Sequence, residues 1–166
     1  MQDHALDPDS KLSEFAAQRN ENGRSQPRAA IRWVMGGQFV ELIDDAVYDA
    51  QDFNIPPGFV TPLHRHTRYA EHLYVVVGSV DIQIEGDRHV IAPGESVTIP
   101  SGTPHALAAG ERGASGLILS RPAGFAKVIR SSGAATKDRF NLDQFVRAAI
   151  AAGDEILGPP LAAAES

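Results

Sequence analysis

Between Ile31 and Ser120 the apolar positions come in short runs, most of them alternating with polar ones. The runs are Phe39 to Ile43, Val47 to Ile55, His72 to Val77, Val80 to Glu85, Ser96 to Ile99, His105 to Ala108 and Gly116 to Ser120. Successive side chains of a strand point to opposite faces, so a strand with one buried face shows this alternation. Turn-forming residues separate the runs: Asp44-Asp45, Pro56-Pro57-Gly58, Gly78-Ser79, Glu85-Gly86-Asp87, Pro93-Gly94 and Pro100-Ser101-Gly102. Many short strands at this spacing predict an all-β antiparallel sandwich or barrel. Glu85-Gly86-Asp87 reads as a tight hairpin turn, because glycine tolerates positive φ.

The pattern changes at both ends of the chain. In residues 1–30, Leu12, Phe15 and Ala16 form one face of a short helix that Ser10 would cap, and a polar loop follows from Asn20 to Arg28. This stretch reads as an N-terminal arm. Pro122 to Lys137 reads as a loop. Beyond it Leu142, Phe145, Val146, Ala149 and Ile150 fall at i, i+3, i+4, i+7 and i+8, which predicts a helix. Asn141 would cap it, Gln144 stands where a capping box places a partner, and Gly153 would stop it. The helix is expected to pack on the outside of the barrel. The predicted organisation is an arm (1–30), a barrel (31–122) and a C-terminal loop and helix (123–166).

Composition narrows the partners. The 166 residues carry 15 Lys and Arg against 21 Asp and Glu, a formal charge of −6. No basic face is available to attract phosphates, so neither nucleic acid nor an anionic membrane is an expected partner. There is no cysteine, which excludes disulfides, thiolate metal sites and cysteine nucleophiles. Met1 to Asn20 has no apolar core of signal-peptide length, and no apolar run approaches the ~20 residues that span a bilayer. A cytoplasmic protein is expected.

The chemistry gathers on histidine. Six are present: His4, His64, His66, His72, His89 and His105. His64 and His66, two apart, would share one face of a strand and could grip one ion together. If Glu71 points inward with Leu73, Val75 and Val77, then His72 points outward with Tyr74 and Val76. The expected ligands of one divalent transition metal are therefore His64, His66, Glu71 and His105. Imidazole and carboxylate suit Fe, Mn, Ni, Co or Zn without choosing among them. Such a set leaves coordination positions open, as a catalytic site requires. His4 and His89 are read as solvated, Arg65 as pointing outward, and Arg68 and Tyr69 as a solvated loop near the rim.

The frame around these residues is more specific than the pair itself. Gly58, five residues, His64-Arg65-His66, four residues, Glu71, six residues and Gly78 match the first motif of the cupin superfamily. Gly94, five residues, Pro100-Ser101-Gly102, two residues and His105 match the second. Fifteen residues separate the two motifs. The chain thus resembles the cupins over roughly Gly36 to Arg121. The resemblance implies a double-stranded β-helix, or jelly-roll barrel, and a homodimer. It departs from the second motif at Ala109, where an Asn that is not a ligand is usual.

The expected lining is apolar: Phe39, Phe53, Leu73, Val75 and Leu107, with Leu42, Ile55, Ile84, Ile99 and Leu119 also inward. A metal at the base of an apolar pocket suits a hydrophobic, aromatic small molecule rather than a sugar phosphate. The Pro56-Pro57-Gly58 segment, the Tyr74-Val75-Val76 strand, the turn from Pro100 to His105 and the tail from Glu155 to Pro160 are similar to single-domain bacterial cupins of the quercetin 2,3-dioxygenase-like group. That resemblance implies a dioxygenase acting on a flavonol-like or enolic substrate with O₂, and Glu71 as its general base. A Lewis-acid cyclase or isomerase of polyketide-like substrates and a non-catalytic ligand-binding cupin are the other readings.

Overall fold

The structure is a computed structural model and describes residues 30–161. Expectations for His4 and for the arm up to residue 29 lie outside them. Nine strands form the body: β1 (Ile31–Val34), β2 (Gly37–Asp44), β3 (Asp49–Ile55), β4 (Pro62–His66), β5 (Ala70–Ile84), β6 (Asp87–Ile91), β7 (Ser96–Ile99), β8 (His105–Arg121) and β9 (Asp154–Pro160). Helices α1 (Phe125–Ser132) and α2 (Leu142–Ala152) stand between β8 and β9, with a short 3₁₀ turn at Lys137–Arg139.

Two long strands turn this set into a barrel. The first half of β5 and the second half of β8 pair with each other and carry β7 and β3-β2-β1 on their outer edges. Their remaining halves also pair, and carry β6 on one edge and β4-β9 on the other. All pairings are antiparallel. The result is a curled sheet of the jelly-roll kind, all-β as expected, with the C-terminal helices laid against it. Its core includes Phe39, Phe53, Leu73, Val75, Ile82 and Ile99, each no more than 4% exposed.

Several details differ from the sequence reading. Gly78-Ser79 is not a turn between two strands. It is a bend inside β5, marked by register shifts on either side. Gly78 sits at φ 73, and a Cβ there would collide with the Gly113 carbonyl of β8, itself at φ 78. Both long strands bend together where two glycines let their backbones approach. Leu42 is exposed at 48%, because a bulge between Glu41 and Ile43 breaks the alternation of β2. In β8 the phase is one residue off the expectation. Ile118 pairs with Leu73 and Ser120 with Glu71, so these point inward, and Leu119 shares the outer face with His72.

The segment read as a loop after Pro122 contains α1. No side chain at its own start caps it. Instead Asp49 Oδ2 of β3 accepts hydrogen bonds from the Gly124 and Ala126 amides (2.7 and 3.1 Å), and Ser120 Oγ accepts from Gly124 and Phe125 (3.1 Å each). The tail read as following the helix is strand β9, which pairs with β4. Helix α2 is where the stripe placed it. Asn141 accepts from the Gln144 amide (2.9 Å), and Gly153 ends it in the left-handed region at φ 100. The Gln144 side chain bonds the Ser131 carbonyl (2.8 Å) rather than closing a capping box. The Glu85-Gly86 hairpin forms with φ 53 and 100, joining Ile84 to Asp87. Met35-Gly36 makes a second such turn between β1 and β2, not foreseen, with φ 49 and 87. No helix among the described residues is long and apolar enough to cross a membrane.

Candidate metal centre

Strand pairing brings the histidines together. His64 and His66 sit two apart on β4, and His105 at the start of β8 lies directly opposite His64. Ring centroids are 4.9 Å apart for His64–His66, 4.2 Å for His64–His105 and 5.0 Å for His66–His105. Their ligand nitrogens all fall within 4.8 Å of one another, so the three could hold a metal ion. Glu71, 4% exposed, projects from β5 with Oε2 3.2 Å from His66 Nε2.

The hydrogen bonds decide which nitrogen faces the centre. His64 Nδ1 donates to the Pro62 carbonyl (2.8 Å) and His105 Nδ1 to the Thr103 carbonyl (2.9 Å). A carbonyl can only accept, so each Nδ1 carries the proton and each Nε2 offers a lone pair when the ring is neutral. His66 Nδ1 meets Asp154 Oδ1 at 2.7 Å. The Nε2 atom of His105 is buried with no hydrogen-bond partner, while that of His66 meets only Glu71 Oε2 at 3.2 Å. Buried polar atoms rarely stay orphaned, and two converging imidazole nitrogens beside a carboxylate are what a first-row divalent ion binds. The donor set fits such an ion.

Burial and the charges of His105 and His66 push His64 down to about 4, and burial lowers His105 as well. Burial alone would also lower His66, but Asp154 and Glu71 on either side raise it to about 9. Burial alone would raise Glu71. The adjoining His66, then His105 and His64, hold it down to about 2, so it is a carboxylate at neutral pH. Burial, then the Asp154 and Glu71 charges, push the Tyr69 phenol far up, so it stays protonated.

A cavity of about 70 Å³ opens beside the histidines. Of the expected lining, Phe39, Phe53, Leu73 and Leu107 face it, together with His64, His66 and Glu71. Val75 is fully buried but does not line it. Phe53, which shares its row through Gly116 and spreads over that glycine, lines it instead. Ile55, also expected inward, lines it as well, whereas Phe59 and Thr61 before β4, Phe125 of α1, Phe145 and Ala149 of α2, and Asp154 and Ile156 of β9 were not foreseen. Phe145 and Ala149 lie on the stripe that predicted the helix. The pattern showed that they would be covered, not what they would cover.

Tyr69 is the clearest correction. Read as a solvated rim residue, it is 1% exposed and its ring stacks on His66 (centroids 4.4 Å, planes 20° apart). Arg68 is exposed, with its guanidinium 3.5 Å from the Ala151 carbonyl. Arg65 points away from the centre and pairs with Glu155 (2.6 Å). His72 bonds Thr98 Oγ1 (2.7 Å) on the outer face, away from the ligands. His89 is exposed.

The jelly-roll barrel turns three histidines towards one another from β4 and β8, with Glu71 of β5 beside His66. Residues 51–117 match the cupin domain family. Among solved structures the chain is similar to KdgF from Halomonas sp. (26% identity, 52% of this chain and 79% of that one, TM-score 0.50). It is also similar to oxalate decarboxylase from Bacillus subtilis (26% identity, 57% of this chain and 27% of that one, TM-score 0.50). Among curated proteins it is similar to mannose-1-phosphate guanylyltransferase from Escherichia coli strain K12, 33% identical over 60 residues. That stretch is 36% of this chain, and the chain spans only 13% of that enzyme's length.

Proposed function

We propose that this protein is a metal-dependent enzyme, and that its substrate is a small apolar molecule presenting an enol or hydroxy-carbonyl edge to the ion. The observation that carries this is the convergence of the His64, His66 and His105 ring nitrogens within 4.8 Å of one another, beside the Glu71 carboxylate and at the wall of an apolar cavity. His64, His66 and His105 would hold the ion, with Glu71 as fourth donor. The ion would supply Lewis acidity and a meeting point for an electron-rich enolate and O₂, which is the dioxygenase reading.

The chain's own residues support that chemistry in three ways. Among the described residues no Lys or Arg lines the cavity, so apart from the ion itself nothing there would offset the charge of a phosphorylated substrate. The phenylalanines of β2, β3 and α1 give the cavity an apolar wall beside the ligands. Glu71 Oε2 is the one carboxylate oxygen beside His66 Nε2 and can take a hydroxyl proton from a substrate bound there. Its pKa is held down by its histidine neighbours, chiefly His66.

The cavity also limits size. An apolar cavity of about 150 Å³ takes up benzene, and this one is about 70 Å³. Only the chelating end of a flavonol would enter, which favours smaller enolic or phenolic substrates. Oxalate decarboxylase shows by its name that a related barrel handles a small molecule. The test is elemental analysis of purified protein, followed by O₂-electrode assays with flavonols and with single-ring enols and catechols. Turnover with O₂ uptake is expected. Product without O₂ uptake would move the reading to a Lewis-acid isomerase or cyclase, and no bound metal after loading would overturn it.

A further inference from the structure

The three histidines are not held alike. His64 and His105 each donate to a main-chain carbonyl two residues before them, a neutral acceptor that no substitution can remove. His66 alone is held by a side chain, Asp154, from a strand outside the matched cupin segment. We propose that Asp154 is the positioning residue that makes His66 a metal donor, and that the site is incomplete without β9. This rests on the reading that the histidines hold an ion.

The surroundings leave the Asp154 carboxylate little freedom. Oδ1 meets His66 Nδ1 at 2.7 Å, and Oδ2 accepts from the Tyr69 hydroxyl at 3.3 Å. Tyr69 stacks on the same imidazole whose edge Asp154 holds, so one ring is fixed in plane and in face. Tyr69 is itself confined: a Cβ on Gly124 would overlap its ring, so only glycine fits there. The backbone sets the approach as well. Asp154 pairs with His66 in register, and both the amide and the hydroxyl of Thr67 donate to the Gly153 carbonyl (3.0 and 2.6 Å). The turn that ends α2 is thus tied to the residue after the ligand, and β9 starts with Asp154 already opposite His66.

A carboxylate on the far nitrogen fixes the tautomer and makes the near nitrogen a stronger donor. With Glu71 on the other side, it also adds a second negative charge beside a dication.

The test is Zn²⁺ affinity of the full chain, by competition with a chelator, for wild type, Asp154→Ala, Asp154→Asn and Glu155→Gln. Glu155 is the next residue on β9 but faces solvent and pairs with Arg65. Removing such a carboxylate typically weakens metal binding about 10- to 100-fold. That loss is expected for Asp154→Ala, at least tenfold for Asp154→Asn in a chain that still folds, and none for Glu155→Gln. In the metal-free protein, ¹⁵N spectra should show the His66 ring losing its fixed Nδ1 proton in Asp154→Ala. If Asp154→Ala does not fold, Asp154→Asn decides. Affinity within twofold of wild type in the Asp154 variants, or an equal loss in Glu155→Gln, would overturn the proposal. Wild type that binds no Zn²⁺ would instead overturn the metal reading beneath it.

Discussion

His66 carries the sharpest residue-scale consequence. In the metal-free protein it is flanked by Asp154 and Glu71, which outweigh burial and raise its pKa to about 9. An unfolded chain returns it to about 6.5. Between those values the folded state holds a proton that the unfolded state has lost. Its contribution to stability is therefore whole below pH 6.5 and disappears as pH rises through 9. Thermal melts of metal-free protein should show a lower melting temperature at pH 9.5 than at pH 6.5, and His66→Gln should flatten that slope. For the ion itself, His64→Ala, His66→Ala and Glu71→Ala should each lower bound metal sharply. Full metal content in all three variants would remove the assignment.

At the scale of elements, the bend shared by β5 and β8 is the point most sensitive to a single methyl group. Gly78→Ala must accept both a positive φ and a collision with the Gly113 backbone, which a flexible neighbour cannot relieve. A loss of about 3 kcal/mol or more is expected in urea unfolding. The cap of α2 is a milder case. Asn141→Ala removes the acceptor for the Gln144 amide and should cost about 1 kcal/mol, without touching the metal ligands. The start of α1 is held by Asp49 as well as by the nearby Ser120, so Asp49→Ala should loosen it from a distance of 75 residues along the chain.

At the scale of the whole molecule, one outer sheet face is unusually apolar. Ile31, Val40, Asp52, Leu117 and Tyr74 lie in register across five strands, with Val76 beyond them 52% exposed. We propose this face as the contact of the expected homodimer. Light scattering should give twice the chain mass, and Tyr74→Arg should halve it. Asp52 in the middle of the row is raised to about 6 by burial. A carboxyl raised on folding keeps its proton longer in the folded state, so stability falls as pH climbs from about 4 to 6 and levels off above. Asp52→Asn should raise stability at pH 7 by about 1 kcal/mol once solvent screening is allowed for, and change nothing at pH 4.

The sequence by itself determined the strand-rich barrel, the α2 helix with both of its ends, and the inward phase of His64, His66 and Glu71. These rest on periods of two and 3.6 residues and on local turn chemistry, which act over a few neighbouring positions. The spacing of glycines and histidines then supplied His105, although it lies 39 positions beyond His66. What the tertiary structure decided is everything that depends on which strand lies beside which. Gly78 reads as a turn until Gly113 is found against it. Helix α1 reads as a loop because its cap is Asp49 of β3. Tyr69 reads as solvated because nothing in its own segment shows that Gly124 and His66 will close over it. Asp154 could not be foreseen as the partner of His66, since the two meet only when β9 pairs with β4, and no local period records a contact made 88 residues apart.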